Sequence, residues 1–548
     1  MISRAPTTTL PTHRVENQPP PLGDINLYER DVALAEALQR EGAGWAEEAV
    51  RGFGASVGRA ETMALGESAN RFSPQITAFD RYGARLDEVS YHPAYHALMK
   101  LGLGAGIHAL PWQEERRGAH IAHAALEYLL TQAEAGVCCP ITMTYASVPA
   151  LQQEPALAAE WLPKILVRDY DERALPLADK RAATIGMAMT EKQGGSDVRA
   201  TTTRAEPAEG DSYRLTGHKW FCSAPMSDGF LTLAQAPGGL TCFLVPRWRP
   251  DGTRNAIRLQ RLKDKLGNRS NASAEIEYDG AYARRVAAEG RGIAAIMTMV
   301  RHTRLDAAVV CAGMMRQGVF AAAHHAGHRR AFGKRLVEQP AMIAVLADLA
   351  LEAEAALVLV MRVARAFDGA DEAESALARI GSALAKFWVT KRLPGHAYEA
   401  LECFGGNGYV EEAPMARLYR EAPVNAIWEG SGNVNALDVM RALDREPGAL
   451  EAWRTEAQAG RGGSPRFDRF LDDLDETLAD LDDTAVPARR LVEDMALALQ
   501  ASLLLRHAPA AISDAFVVSR IGGGMRGCYG ALPGGLDLHS IVARVGAD

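Results

Sequence analysis

The chain of 548 residues has only seven cysteines, and the adjacent pair Cys138–Cys139 is not spaced like zinc ligands. That excludes a disulfide scaffold and points to a reducing compartment, with the cytoplasm as the expected location. No apolar run approaches the roughly 20 residues that cross a bilayer, so no membrane partner is expected. The opening "MISRAPTTTLPTHRVENQPPPLGD" has no apolar stretch of the kind found in a secretory leader. Net positive charge is absent as well: 60 Lys and Arg stand against 68 Asp and Glu. A balance of −8 opposes nucleic acid unless basic residues cluster locally. No internal repeat is visible. What is present, 48% apolar and 23% charged residues, is the composition of a folded protein, and the length predicts roughly three or four domains.

The hydrophobic period changes along the chain. Residues 1–26 read as a Pro-rich extended arm. Residues 27–182 read as an N-terminal α domain, with apolar residues three and four apart in "LYERDVALAEAL" and "HIAHAALEYLLTQA". Residues 183–290 shift to short β-rich segments such as "YRLTGHKWFCSA", "FLTLAQA" and "LTCFLVPRW", separated by Gly, Pro and Asp. Long Ala/Leu helices resume over residues 291–444. After the loose "REPGALEAWRTEAQAGRGGSPRF" comes a last helical block, residues 445–548. The fold class is therefore mostly α with a middle β-domain and an extra C-terminal α domain.

Three patterns carry less than they suggest. "GGGMRG" has dinucleotide-loop spacing at Gly522, Gly524 and Gly527, but "CYGALPGG" follows where a helix would have to begin. His324 and His328 lie four apart on a helix without a third ligand, so no metal is expected there. "LDDLDETLADLDD" reads as the solvated acidic face of a helix.

Five stretches form a more specific set: "MTEKQGGSD" (residues 189–197), "KWFCSA" (219–224), "HRRAFGKRL" (328–336), "ECFGGNGYVEE" (402–412) and "REAPVNAIWEGSGNVNALDVMR" (420–441). Singly these read as a polar turn, a strand end, a solvated helix end, a second turn and a helix cap around Ser431. In this order, on an α–β–α frame, the chain resembles the acyl-CoA dehydrogenase family of flavoproteins over roughly residues 27–443. "QGGSDV", a Trp before the Glu and about 100 extra C-terminal residues look like the AidB branch of that family, linked to the adaptive response to DNA alkylation.

The resemblance implies a helical N-terminal domain, a middle β-barrel, a C-terminal four-helix bundle and non-covalent FAD shared between subunits of a homotetramer. By the same resemblance Met187, Met189, Thr190, Gly195 and Ser196 line one side of the flavin, with Thr190 at the ring and Ser196 at the pyrophosphate. Phe221, Cys222 and Ser223 cover another flank. Arg329 reaches the FAD of a neighbouring subunit, and Gly405 and Gly406 permit a second backbone approach to it. Ile427, Trp428, Gly430, Ser431, Gly432 and Asn433 complete the cofactor set. Glutamine is frequent in the family where this chain has Pro340 and Glu402.

The implied reaction removes a proton from Cα of an acyl-CoA while Cβ gives hydride to the flavin. Glu429 stands at the family's common base position. Thr303 fills the alternative position, and a Thr cannot serve as that base. The expected substrate is a short or branched, isovaleryl-like acyl-CoA, with Trp428 narrowing the pocket; the electron acceptor is open. The AidB branch also implies nonspecific binding of double-stranded DNA, for which Arg441 and Arg520 are the matched positions. Against this, residues 445–548 carry eleven arginines and no lysine beside sixteen acidic residues. An ordinary catabolic enzyme without DNA binding is the alternative.

Overall fold

A computed structural model describes residues 6–369, 371–479 and 487–547. The helical expectation for residues 27–166 holds except at one place. A hairpin, β1 (Gln75–Phe79) and β2 (Arg85–Ser90), interrupts the helices. Its turn uses Gly83 at φ +86°, and Asp80 accepts the Tyr82 and Ala84 amides. Asp87 then accepts the Leu259 amide at 2.8 Å, tying the hairpin to the middle domain. Two strands this short leave no period that stands out against the helical text around them.

The β-domain comprises β3 (Ile185–Ala188), β4 (Arg204–Pro207), β5 (Ser212–Ser223), β6 (Gly229–Ala236), β7 (Gly239–Pro246), β8 (Ile257–Leu262) and β9 (Ser273–Val286). Pairing runs β6–β4–β5–β9–β7 and back to β6, so the sheet closes into a barrel, with β3 flanking β6 and β8 flanking β9. Closure leaves few open edges and fills the interior with alternate residues such as Leu215, Phe230, Phe243, Ile276 and Ala281.

A 37-residue helix, Gly292–His328, forms the axis of the molecule. By length and composition it could cross a membrane, which corrects the reading that nothing approaches a span, yet 94% of its most apolar stretch is buried inside the protein. Gly313 allows it to pass close to helix Ala119–Ala133: a Cβ there would lie 2.5 Å from the Tyr128 carbonyl oxygen. Helices Pro340–Phe367 and Glu372–Glu402 pack along it and continue the same apolar core.

The C-terminal block docks on this bundle through charge as well as apolar packing. Buried Arg520 pairs with Asp348 and, at 3.3 Å, with Glu352; Arg544 pairs with Glu354 and with Glu36 of the N-terminal domain; Glu456 of the block pairs with Arg362 of the bundle at 2.7 Å. Helix Pro465–Ala479 buries Phe467, Leu471, Leu474 and Leu478 and turns its acids outward, as read from the sequence; the rest of that acidic run falls among residues 480–486, outside the described residues. "GGGMRG" is a run of turns with no helix behind it. His324 and His328 bond the Pro20 and His324 carbonyls.

Candidate active site

Glu429 is the focus of the site. Its backbone has φ +57°, a left-handed conformation that non-glycine residues seldom adopt, followed by Gly430 at +96°. The kink is held from behind. Lys386 Nζ donates to the Asn425 and Gly430 carbonyls at 2.7 and 3.0 Å, Asn435 donates to Gly430 O at 2.6 Å, and Arg304 donates to Glu429 O at 3.3 Å. Arg304 is itself fixed by Asp438, which also takes Arg379. Strain at a kink held by three side chains marks a position that the fold defines closely.

The Glu429 carboxylate accepts the Thr303 hydroxyl at 2.5 Å. Burial raises its pKa above the ordinary carboxylate value, while the Thr303 bond and the charges of Lys386 and Arg304 pull it back. A carboxylate disfavoured by burial but kept ionisable by nearby donors is suited to taking a proton. Thr303, set aside as a base from sequence, is the residue that fixes the Glu429 carboxylate.

The "MTEKQGGSD" loop is anchored by a charge pair inside it. Glu191 and Lys219 are each 1% exposed and meet at 2.8 Å. Glu191 also accepts from the amides and hydroxyls of Thr202 and Thr203, and Lys219 donates to Leu233 O at 2.9 Å. Burial opposes ionisation of Glu191, but the Lys219 and Thr203 bonds outweigh it and hold the carboxyl well below the usual carboxylate range. Neither residue was singled out from sequence. The available signal was a lysine at an inward-facing position of "YRLTGHKWFCSA", which requires a buried acid to meet it. Trp220 N donates to Thr190 O at 2.7 Å and completes the junction of the first two motifs.

Around this junction lie half-buried Met187, Met189 and Thr190 and exposed Ser196. Gly195 must be glycine, since a Cβ would sit 2.3 Å from the Thr190 hydroxyl. Phe221 is 48% exposed and Ser223 is half-buried, but Cys222 is fully buried in the barrel core. Its thiol therefore packs the barrel core, which leaves its backbone for any part in a flank of the flavin. Cys139, of the adjacent pair that is not spaced like zinc ligands, is half-buried near Glu429, and burial pushes its thiol up to about 12. Ile427 is 66% exposed, Trp428 is half-buried with a buried Nε1 that makes no hydrogen bond, and Asn433 is exposed. Ser431 occupies the N-cap of helix Gly432–Arg445, but its side chain makes no capping bond. Gly432 is buried against Lys391.

Arg329, Gly405 and Gly406 are elsewhere. From Thr303 to His328 the helix advances 25 residues, about 38 Å at the usual rise. At that far end Arg329 Nη1 donates to Asn17 O of the N-terminal arm at 2.7 Å, and His325 stacks on Phe404, next to exposed Gly405 (φ +59°) and Gly406. The Glu429 group and the Arg329 group therefore cannot meet within one chain. Arg441 stands on the surface with its side chain 60% exposed, 3.3 Å from Asp438. Arg520, also assigned to DNA, is only 6% exposed and committed to Asp348. It cannot reach a phosphate in this fold.

Three segments match family descriptions in order. Residues 17–172 match the adaptive response protein AidB N-terminal domain, 186–281 the acyl-CoA dehydrogenase middle domain, and 290–443 the acyl-CoA dehydrogenase C-terminal domain. The chain belongs to the acyl-CoA dehydrogenase family, FAD-dependent oxidoreductases, and within it to the AidB group. It is 48% identical to the AidB protein of Escherichia coli (strain K12) over 85% of this chain and 87% of that protein. It is 30% identical to acyl-CoA dehydrogenase family member 11 of Caenorhabditis elegans, over 82% and 78%. The crystal structure of C. elegans ACDH-11 in complex with C11-CoA superposes with a TM-score of 0.83 at 27% identity, covering 94% of this chain and 92% of that one.

The residues present fit FAD. Phe221 and Ile427 offer exposed apolar flanks, Trp428 Nε1 is a buried donor in want of an acceptor, and Gly194, Gly405 and Gly406 leave open space for a close backbone approach. Arg329→Ala is expected to weaken FAD retention several-fold in dilution dialysis, since a charge-assisted bond to phosphate is lost. Retention equal to wild type would remove Arg329 from the cofactor set.

Proposed function

We propose that the protein oxidises a short or branched acyl-CoA, of the isovaleryl type, at the α,β position. The observation that carries this is Glu429: strained, half-buried, held by Thr303 and Arg304, and the carboxylate at the centre of the site. Bound FAD supplies the hydride acceptor. Glu429 takes the α-proton, and its backbone N–H steadies charge that develops on a thioester oxygen. Trp428 restricts the acyl group by its bulk. The relative crystallised with C11-CoA sets the upper end of the test. Anaerobic titration with acyl-CoAs from isovaleryl-CoA to an eleven-carbon chain should bleach the flavin, most readily with the short branched thioester. No bleaching with any of them refutes the proposal, and preference for the long chain refutes its substrate class.

The two half-sites at opposite ends of one helix support assembly as a homotetramer in which each flavin meets two chains. Nonspecific duplex binding in an alkylation response is a second reading, supported by the AidB-type N-terminal domain and by exposed Arg441. The C-terminal arginines support it less, because Arg506, Arg520 and Arg544 are paired with carboxylates inside the protein. Arg441→Ala should flatten the salt dependence of duplex binding by about one phosphate contact, measured by anisotropy. Arg520→Ala should instead lower stability through the uncompensated Asp348, since Glu352 keeps Arg392. Undetectable duplex binding at low salt leaves the enzyme reading alone.

A further inference from the structure

Buried carboxylates in this protein are generally matched by an arginine or lysine. Asp438 meets Arg304 and Arg379, Glu352 meets Arg392, Glu456 meets Arg362, Asp31 meets Arg316, and Asp228 meets Lys180. Glu134 and Glu421 lack such a cation among the described residues but have both oxygens satisfied by amide and hydroxyl donors. Glu127 and Asp306 have neither: both are fully buried, their only ion-pair partner among the described residues is His123, and each keeps an oxygen that makes no hydrogen bond. His123 and Glu127 are one turn apart on helix Ala119–Ala133, and Asp306 faces them from the long helix.

The hydrogen-bonding pattern around the three is directional. His123 Nδ1 lies 2.7 Å from the Ile107 carbonyl, which can only accept, so Nδ1 carries hydrogen and Nε2 is turned toward the two carboxylates. Glu127 accepts the Thr142 hydroxyl at 2.6 Å on Oε1. Its Oε2 and Asp306 Oδ2 are buried and make no hydrogen bond. A histidine whose outer nitrogen is fixed by a carbonyl, beside a carboxylate fixed by a hydroxyl, is the usual surrounding of metal ligands. Nε2 is 3.0 Å from Asp306 Oδ1 and 3.6 Å from Glu127 Oε2, and one ligand atom from each residue lies within 4.8 Å of the others. Ligands held about 2.1 Å from a common ion stand roughly 3.0 to 3.4 Å apart, which is close to this spacing.

We propose that His123, Glu127 and Asp306 bind one divalent first-row transition-metal ion. One imidazole and two carboxylates suit Zn²⁺, Mn²⁺ or Fe²⁺ rather than a soft metal. The ion supplies the positive charge that arginine or lysine provides at the paired buried acids. Its role is structural: it ties helix Ala119–Ala133 to the long helix three residues beyond Thr303, and so stiffens the wall against which Glu429 is held. Tyr145, stacked on the His123 ring at 4.0 Å, closes the site from the next helix.

The test is elemental analysis of the full-length, FAD-loaded protein, grown with zinc, manganese and iron and desalted without chelator. It should contain about one equivalent of a single one of these metals per chain. Asp306→Asn, nearly isosteric, should reduce this at least about tenfold while FAD stays bound. Wild type unfolded in chelator and refolded with Zn²⁺ or Mn²⁺ should melt higher than protein refolded without metal, which keeps the proposal testable should the variant not fold. Two results overturn it. One is wild type that carries no metal after growth and gains no stability on refolding with either ion. The other is an Asp306→Asn protein with the wild-type metal content.

Discussion

Glu429→Gln is expected to slow flavin reduction by any accepted acyl-CoA at least ~10²-fold, with FAD still bound. The amide keeps the size and charge-free contacts of the side chain, and its NH₂ can donate to the Thr303 oxygen where the carboxylate accepted. It cannot take a proton. In wild type only the ionised carboxylate acts, and burial raises its pKa. The reduction rate should therefore fall as pH drops through a titration lying above the ordinary carboxylate range, and this step should vanish in the variant. Stopped-flow absorbance at the flavin band, taken across pH, reads both effects. Equal rates in the two proteins would place the base elsewhere.

Lys219→Met should produce the largest loss of stability. The substitution leaves Glu191 as an unpaired charge in a fully buried position, which typically costs about 3–5 kcal/mol. Glu191 also anchors "MTEKQGGSD", so the loop should loosen and the protein lose its yellow colour on gel filtration. Denaturant midpoints give the first effect and the flavin-to-protein absorbance ratio the second. The double variant Lys219→Met/Glu191→Gln removes both charges and should recover part of the stability, because the penalty arises from the charge left behind rather than from the missing bond. A double variant less stable than the single one would show that the ion pair is not what holds the loop.

The large-scale fold was legible because its signals are long: helical period on either side of a block of strand period, and five motifs in a fixed order. What escaped was short or non-local. The hairpin Gln75–Ser90 offers two strands too brief to establish a period. That Cys222 faces the barrel core was not visible, because the pairing of β5 with β9 slips between Lys219 and Cys222, which changes the side of the sheet each residue faces. Arg520 looks in sequence like any arginine of a charged tail; its partner Asp348 is 172 residues away. Glu429 could be named from its motif, but the supports that give it a defined geometry, Thr303, Arg304 and Lys386, come from two other helices. For the same reason Glu127 and Asp306, 179 positions apart in the numbering, gave no sign of meeting.

The long helix has a consequence for how this chain can vary. It separates the half-site around Glu429 from the one around Arg329, and so acts as a ruler. A single inserted residue between Thr303 and His328 would advance the far end by about 1.5 Å and rotate it by about 100°. Arg329, together with the short hairpin Arg330–Arg335 beyond it, would then face a different direction, whatever the quality of either half-site alone. Loops in this protein can lengthen without such an effect. Between these two positions, length itself is under constraint, and insertions or deletions there should be far less tolerated than substitutions.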